Sequence, residues 1–414
     1  MTSQNTSSFY GLGIAPKLLG ALERMKFTVP TPIQHKAIPV AIEGKDVIGI
    51  AQTGTGKTLA FAVPTIQHLA QRPARALVLV PTRELAIQVD ETFQKIEHLF
   101  GIRSAVLIGG ASMNNQLQAL KKNPRVVIAT PGRLIDHIER RTIFLNNVDT
   151  LILDEADRML DMGFAPQIER ILRVLPKNRQ TMLFSATIPE EIVKIARMHM
   201  KLPVSIEIAR SGTIAERVVQ EVFIVAREAK QRLLAKLLHQ YQGSVLLFSR
   251  TKIGAARITR ALRAAGYSAA EIHSDRSLAQ RREALDGFKS GKYRILVATD
   301  IAARGIDVIG IELVVNYDLP EDIENYVHRI GRTARAGHGG RAISFATPDQ
   351  GEEVRGIEKL IRTTLPISEH PDMPKERFVP KVSSYHGSFS WKSRAGRFGR
   401  SRRYSRSPVR RRRP

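Results

Sequence analysis

The 414 residues predict an α/β protein built from two parallel-sheet units in tandem. Three observations carry that expectation. Short, branched, apolar runs of strand length alternate with longer amphipathic segments through most of the chain. The alternation lapses near Ala209-Arg210-Ser211-Gly212-Thr213 and then resumes over a second stretch of similar size. In the first stretch a glycine-rich turn, Ala51-Gln52-Thr53-Gly54-Thr55-Gly56-Lys57-Thr58, joins an apolar strand to a helix, and the second stretch has no counterpart.

Taken in order, residues 47–50 read as a buried strand and 59–63 as the first turns of a helix. Residues 76–80, 126–129, 151–153 and 182–184 follow as strands of the first unit, and 222–225, 245–248, 294–298, 313–316 and 342–346 as strands of the second. The expected boundaries are 1–208 for the first domain, 209–217 for a linker, 218–368 for the second domain and 369–414 for a tail. Prolines punctuate the chain from Pro366 to Pro380, and the end is Ser, Gly and Arg with scattered Tyr385, Phe389, Trp391, Phe398 and Tyr404. Low hydrophobicity with high charge cannot offset the entropy of ordering, so the tail is expected to be disordered.

The formal net charge is +25, and it is unevenly placed. Residues 381–414 hold 12 Lys and Arg and no acid, which leaves +13 for everything before them. Such a field favours a polyanion, and nucleic acid is the first candidate. The tail lacks the apolar face that a membrane-surface helix needs. With no cysteine, disulfides and thiolate chemistry are excluded. No apolar run approaches the roughly 20 residues of a membrane span. Residues 1–8 do not resemble a targeting peptide. A soluble cytoplasmic protein with a monomeric core is expected.

A glycine-rich turn between strand and helix turns successive N–H groups inward, where the helix adds its positive end. Thr53, Gly54, Thr55 and Gly56 would cradle phosphates, Lys57 would supply a mobile charge for the β and γ phosphates, and the Thr58 hydroxyl would ligate Mg²⁺. The usual pattern opens on Gly, whereas this chain has Ala51. A flexible glycine turn is the plain alternative. Further on, the strand at 151–153 ends in Asp154-Glu155-Ala156-Asp157. Acids there sit beside the phosphate seat of an open sheet, so Asp154 is placed to hold Mg²⁺ through water and Glu155 to orient and deprotonate the attacking water.

With these motifs the chain resembles a DEAD-box RNA helicase of superfamily 2 over nearly all of its core, most closely the bacterial RhlE-type branch through Asp161-Met162-Gly163-Phe164. The resemblance implies two RecA-like domains, ATP and Mg²⁺ as cofactors, and single-stranded and short duplex RNA as substrate. Ribosomal or RNA-decay proteins are the expected partners. Phe27 with Pro30-Thr31-Pro32-Ile33-Gln34 resembles the adenine-reading segment, in which Gln34 contacts the base and Phe27 stacks on it, with Phe9 as a second aromatic. Ser185-Ala186-Thr187 resembles the element that couples hydrolysis to strand separation.

In the second unit the segments 298–307 and 326–335 carry the match. They imply that Asp307 meets the ribose and that Arg332 and Arg335 reach the γ-phosphate, while His328 bridges elements. Arg329, Arg332 and Arg335 are spaced to share one helical face. The family ends this motif Thr-Gly-Arg, whereas this chain has Thr333-Ala334-Arg335. Pro81-Thr82-Arg83, Gly109-Gly110 and Thr130 with Arg133 resemble backbone-gripping RNA loops of the first unit, and Arg250, Arg281 and Thr299 those of the second. Leu278 stands where the family often has Gln.

The implied cycle closes two lobes over ATP and RNA, bends one strand locally and releases it on hydrolysis. The basic tail would tether RNA. The competing readings are an ATP-gated RNA clamp with little unwinding, and a DNA translocase or unrelated phosphate-loop ATPase.

Overall fold

The computed structural model describes residues 8–52, 54–208, 218–303, 308, 310–333 and 340–379. Among them are two parallel sheets of seven strands each. The first comprises β1 (Val47–Ile50), β2 (Arg75–Leu79), β3 (Ser104–Leu107), β4 (Val126–Ala129), β5 (Val148–Leu153), β6 (Gln180–Ser185) and β7 (Val204–Glu207), in the order β3-β4-β2-β5-β6-β1-β7. The second comprises β8 (Val218–Ile224), β9 (Val245–Phe248), β10 (Ala269–Ile272), β11 (Ile295–Ala298), β12 (Leu313–Asn316), β13 (Gly340–Ala346) and β14 (Ile367–Ser368), in the order β10-β11-β9-β12-β13-β8-β14. Each sheet and the helices that cover it form one lobe.

Each sheet is covered on both faces because its central strands carry buried apolar side chains on both alternating sets of positions. In β2 the alternation divides the strand: Ala76 and Val78 enter one core cluster, Leu77 and Leu79 another. Val245 and Leu247 of β9 likewise face away from Leu246 and Phe248. Two buried layers flank each sheet, which fixes strand register, since a one-residue slip would exchange the faces.

The central strands lie where the sequence predicts them. Strands β3, β7, β10 and β14 were not expected, and all four lie at sheet edges or beside them. The linker 209–217 lies outside the described residues.

The tail was expected to begin at 369. Residues 369–379 instead pack against the second lobe: Met373 and Phe378 join its two core clusters, and the Val379 N–H donates to the Pro348 carbonyl at 2.8 Å. Arg232 donates to the Asp372 carbonyl at 2.7 Å. Two well-spaced apolar anchors and a few hydrogen bonds hold a segment whose average composition is polar. Residues 380–414, to which the RNA tether was assigned, lie outside the described residues.

Candidate functional site

Strands β5, β6 and β1 are adjacent and parallel, so all three release the chain at one edge. The glycine turn, the acids and Ser185-Ala186-Thr187 therefore meet there, at the end of an open sheet where ligands bind. The β3-β4-β2 half of the same edge carries Gly109-Gly110, Thr130 with Arg133, and Pro81-Thr82-Arg83. Sheet order thus separates nucleotide-type from RNA-type segments along a single edge.

In the turn, Gly54 and Gly56 adopt φ of 83° and 87°. The backbone at Gly56 favours glycine, and a Cβ there would also push the Gln34 amide off the Gly56 carbonyl. The Thr55 hydroxyl donates to the Gln52 carbonyl at 2.7 Å and closes the turn. Lys57, buried at the start of the helix Lys57–Gln71, donates through Nζ to the Ala51 carbonyl at 2.8 Å. Thr58 is half-buried in the same first turn. Ala51 belongs to the first-lobe core and is not among the residues at positive φ, so its Cβ is accommodated. Thr53 lies outside the described residues.

Gln34 is buried and serves the fold directly. Its Oε1 accepts the Thr31 N–H at 2.9 Å, capping the helix Pro32–Ile42, and its Nε2 donates to the Gly56 carbonyl at 3.0 Å. One N–H and one lone pair of the amide are left for a base. Phe27 is 39% exposed and free to stack, whereas Phe9, 3% exposed, is part of the core. The second aromatic contact expected from Phe9 is therefore corrected: its ring is committed to packing.

Asp154, Glu155 and Asp157 are all buried. Burial pushes Asp154 up to about 6, against the pull of Lys57. Burial also raises Glu155, but Arg158, Lys57 and Arg332 together outweigh it and hold the carboxyl below its ordinary range. Arg158 Nη1 donates to Glu155 Oε2 at 2.7 Å, while Oε1 is buried with no hydrogen-bond partner among the described residues. Glu155 itself adopts φ 52° and ψ 49°, a left-handed conformation that costs on the order of 1–3 kcal/mol for a residue other than glycine.

Across the cleft, Arg158 Nη2 lies 3.4 Å from His328 Nδ1 of the second lobe. Arg332, 3% exposed, donates through Nε to the His328 carbonyl at 3.2 Å. Asp307 and Arg335 lie outside the described residues.

Among the RNA-type segments, Thr82 is buried and its Oγ1 accepts the Leu85 N–H at 3.3 Å, capping the helix Arg83–Glu97. The Arg83 guanidinium lies against Gly109 and Gly110, where a Cβ on Gly110 would meet Nη1. Arg133 Nη1 donates to the Ala111 carbonyl at 3.2 Å. These loops converge, with Pro81 and Thr130 buried beneath them. In the second lobe Arg250 is exposed and Thr299 half-buried, at the ends of the neighbouring strands β9 and β11.

The DEAD/DEAH box helicase family matches residues 31–195, and the helicase conserved C-terminal domain matches 229–337. A protein of Meyerozyma guilliermondii named ATP-dependent rRNA helicase RRP3 is 44% identical over 374 residues, covering 89% of this chain and 79% of that protein. The chain belongs to the DEAD/DEAH box helicases. The RRP3 protein of Candida albicans is 45% identical over 89% of this chain and 70% of its own length. Among solved structures, S. cerevisiae Dbp5 bound to RNA and ADP BeF3 has a TM-score of 0.76 at 31% identity, over 87% of this chain and 96% of that one. Mss116p bound to ssRNA and AMP-PNP has a TM-score of 0.79 at 29% identity, over 92% and 81%.

In this DEAD/DEAH box helicase the two RecA-like lobes carry functional residues that the sequence left without a role. Asp157 Oδ2 accepts the Ala186 N–H at 3.0 Å, the Thr187 N–H at 2.9 Å and the Thr187 hydroxyl at 3.0 Å, and the Asp157 N–H donates to Ser185 Oγ at 3.2 Å. Four bonds tie the acid run to Ser185-Ala186-Thr187. Asp157 stood in plain view within the acid run, but its partners come from another strand.

The single helical face expected of the three arginines is also corrected. The helix Glu324–Ile330 stops before Arg332, which lies in the turn that follows. Arg329 points inward. It donates to both Asp300 oxygens at 2.6 and 2.7 Å, to Asn316 Oδ1 at 3.2 Å and to the Asp318 carbonyl at 2.6 Å, with its guanidinium 4.9 Å from the Phe248 ring centre. Arg281, expected at the RNA, is buried and ion-paired with Glu84 of the first lobe at 2.8 Å.

His328 offers a pH test. Burial, then the Arg158 charge, pushes its imidazole down to about 4, so the folded protein keeps it neutral where the unfolded chain, near 6.5, takes up a proton. Its share of stability is therefore complete above about 6.5 and falls as pH drops toward about 4. Thermal melts of the wild type and His328→Asn should converge as pH is lowered through that window. Curves that stay parallel would show that His328 does not titrate this way.

Proposed function

We propose that this chain is an ATP-dependent RNA helicase that binds single-stranded RNA, opens short duplexes by closing two domains, and releases the strand on hydrolysis. We take 1–208 and 218–368 as those domains. One observation carries the reading: Glu155, Arg158, His328 and Arg332 form a buried network that crosses from one lobe to the other. Arg158 pairs with Glu155 within one lobe, whereas Arg332 comes within electrostatic reach of that acid only when the lobes meet. The likeness to Dbp5 and Mss116p structures with RNA and nucleotide bound supports the same arrangement.

In this reading Lys57 and the N–H groups of Gly54 to Thr58 hold the β and γ phosphates. Glu155, kept ionised by its cationic neighbours, takes the proton of the attacking water. Arg332, with Arg335, stabilises charge on the transferring group. Gln34 and Phe27 select adenine, and Asp307 takes the ribose. Ser185 and Thr187, held by Asp157, transmit the change to the RNA loops.

Asp154 and Thr58 supply hard oxygen donors of the kind Mg²⁺ takes, and a cation would relieve the burial that raises Asp154. When bound, Mg²⁺ neutralises charge on the phosphate oxygens. Pro81, Thr82, Arg83, Gly109, Gly110, Thr130, Arg133, Arg250 and Thr299 contact phosphates and 2′-hydroxyls, which reads RNA shape rather than base sequence.

The RRP3 relatives make ribosomal RNA the first target to test, with ribosomal proteins as partners and the cytoplasm as setting. Among the described residues no helix is long and apolar enough to cross a membrane. Asp161 to Phe164 are the residues that support the RhlE-type branch.

The test is hydrolysis with and without RNA, beside strand release from duplexes of increasing length. RNA should stimulate hydrolysis and DNA should not. Local opening should separate about 10 base pairs but not about 40, since each step adds roughly 1.4 kcal/mol of stacking. Equal stimulation by DNA would favour the translocase reading. RNA-stimulated hydrolysis with no strand release at any length would favour the clamp.

A further inference from the structure

Away from the nucleotide cleft, the helix Arg83–Glu97 of the first lobe meets the helix Leu278–Lys289 of the second. Arg281 Nη2 lies 2.8 Å from Glu84 Oε2, with both side chains less than a tenth exposed. Beside it, Arg282 and Glu91 form a solvent-exposed pair at 3.9 Å. Leu278 packs against the core cluster of the first lobe. Glu84 and Glu91 lie two turns apart on one helix, and Leu278, Arg281 and Arg282 lie three and four residues apart on the other. Each set therefore occupies one helical face.

Leu278 is the departure that gives this contact its meaning. A glutamine there could hydrogen-bond a phosphate or a 2′-hydroxyl. A leucine cannot, but it can exclude water from the neighbouring ion pair. A buried ion pair contributes only where its geometry is held and its surroundings are dry. Both Glu84 carboxylate oxygens are buried without a hydrogen bond among the described residues, so the carboxylate depends on its ion pair with Arg281.

We infer that this helix pair is an interlobe latch in which Leu278 is the positioning residue, favouring the closed arrangement and so lowering the RNA concentration that closure requires. A contact made only when the lobes are together adds to the binding of every ligand that needs them together. Glu84 also directly follows Arg83, whose guanidinium rests on Gly109 and Gly110. The same helix start thus carries an RNA-type residue and the acid of the latch, which links RNA grip to closure. The inference rests on the helicase reading given above.

The test compares wild type, Leu278→Gln and Leu278→Met. Leu278→Gln should raise the RNA concentration for half-maximal hydrolysis about tenfold while leaving kcat at saturating RNA within about twofold, and Leu278→Met should restore the wild-type value. Because the chain has no cysteine, Phe144→Cys and Ile253→Cys, both exposed and on different lobes, allow donor and acceptor dyes to report lobe closure directly. At subsaturating RNA with a non-hydrolysable ATP analogue, Leu278→Gln should show fewer closed molecules. In a parallel series, Glu84→Arg and Arg281→Glu should each reduce closure and the double exchange should recover it.

An unchanged half-saturation and closed fraction in Leu278→Gln, or no recovery in the double exchange, would overturn the latch. A wild type that RNA fails to stimulate would instead reject the helicase reading on which it rests.

Discussion

Glu155→Gln is expected to lower ATP turnover by about 10²- to 10⁴-fold while the protein still holds RNA in an ATP-dependent way. Glutamine keeps the acceptor at this position and loses the base. Its amide oxygen can still accept from Arg158 Nη1, so the bond at 2.7 Å and the packing around it survive. It cannot take a proton from water, and it removes a negative charge from among Lys57, Arg158 and Arg332. Chemistry should therefore stop while the site becomes more positive, so binding of a triphosphate should tighten. Single-turnover hydrolysis beside retention of labelled RNA with ATP measures both consequences. Loss of RNA retention together with turnover would show that Glu155 does not have the role assigned to it.

The second large effect separates two arginines three residues apart. Arg329→Ala should cost about 3–5 kcal/mol of stability, because it leaves the Asp300 carboxylate, Asn316 and the Asp318 carbonyl without their partner. Arg332→Ala should cost less stability but about 10³-fold in RNA-stimulated kcat, since the Arg332 charge acts on Glu155 across the lobes. Thermal unfolding and hydrolysis on both variants test this together. If Arg332→Ala unfolded the protein while Arg329→Ala merely slowed hydrolysis, the assignment would be reversed.

The resemblance assigns the γ-phosphate to Arg332 and Arg335, while the three-residue spacing sets Arg329 on the same face as both. Nothing in their spacing tells which guanidinium turns inward. That depends on where the helix stops, at Ile330, and on Asp300 and Asp318 arriving from elements distant in sequence. The misplaced start of the tail has a related cause. Composition averages a segment, whereas Met373 and Phe378 hold it at two points. Strand β7 escaped notice because an edge strand exposes much of itself and need not be apolar, and β10, though buried, is Ala269-Ala270-Glu271-Ile272, without a branched apolar run.

By itself the sequence determined the two parallel-sheet units, the glycine turn with Lys57, and the order of the motifs. Those features are local: a strand buried on both faces must be apolar, and a backbone folded around phosphates must have glycine where a Cβ would collide. Tertiary structure alone decided that Asp157 ties to Ser185 and Thr187, that Arg329 serves the fold, and that Arg281 meets Glu84 across the lobes. A charged side chain carries the same charge wherever it lies along the chain. Its role is set by which groups of opposite sign the fold brings within about 3 Å of it once water is gone.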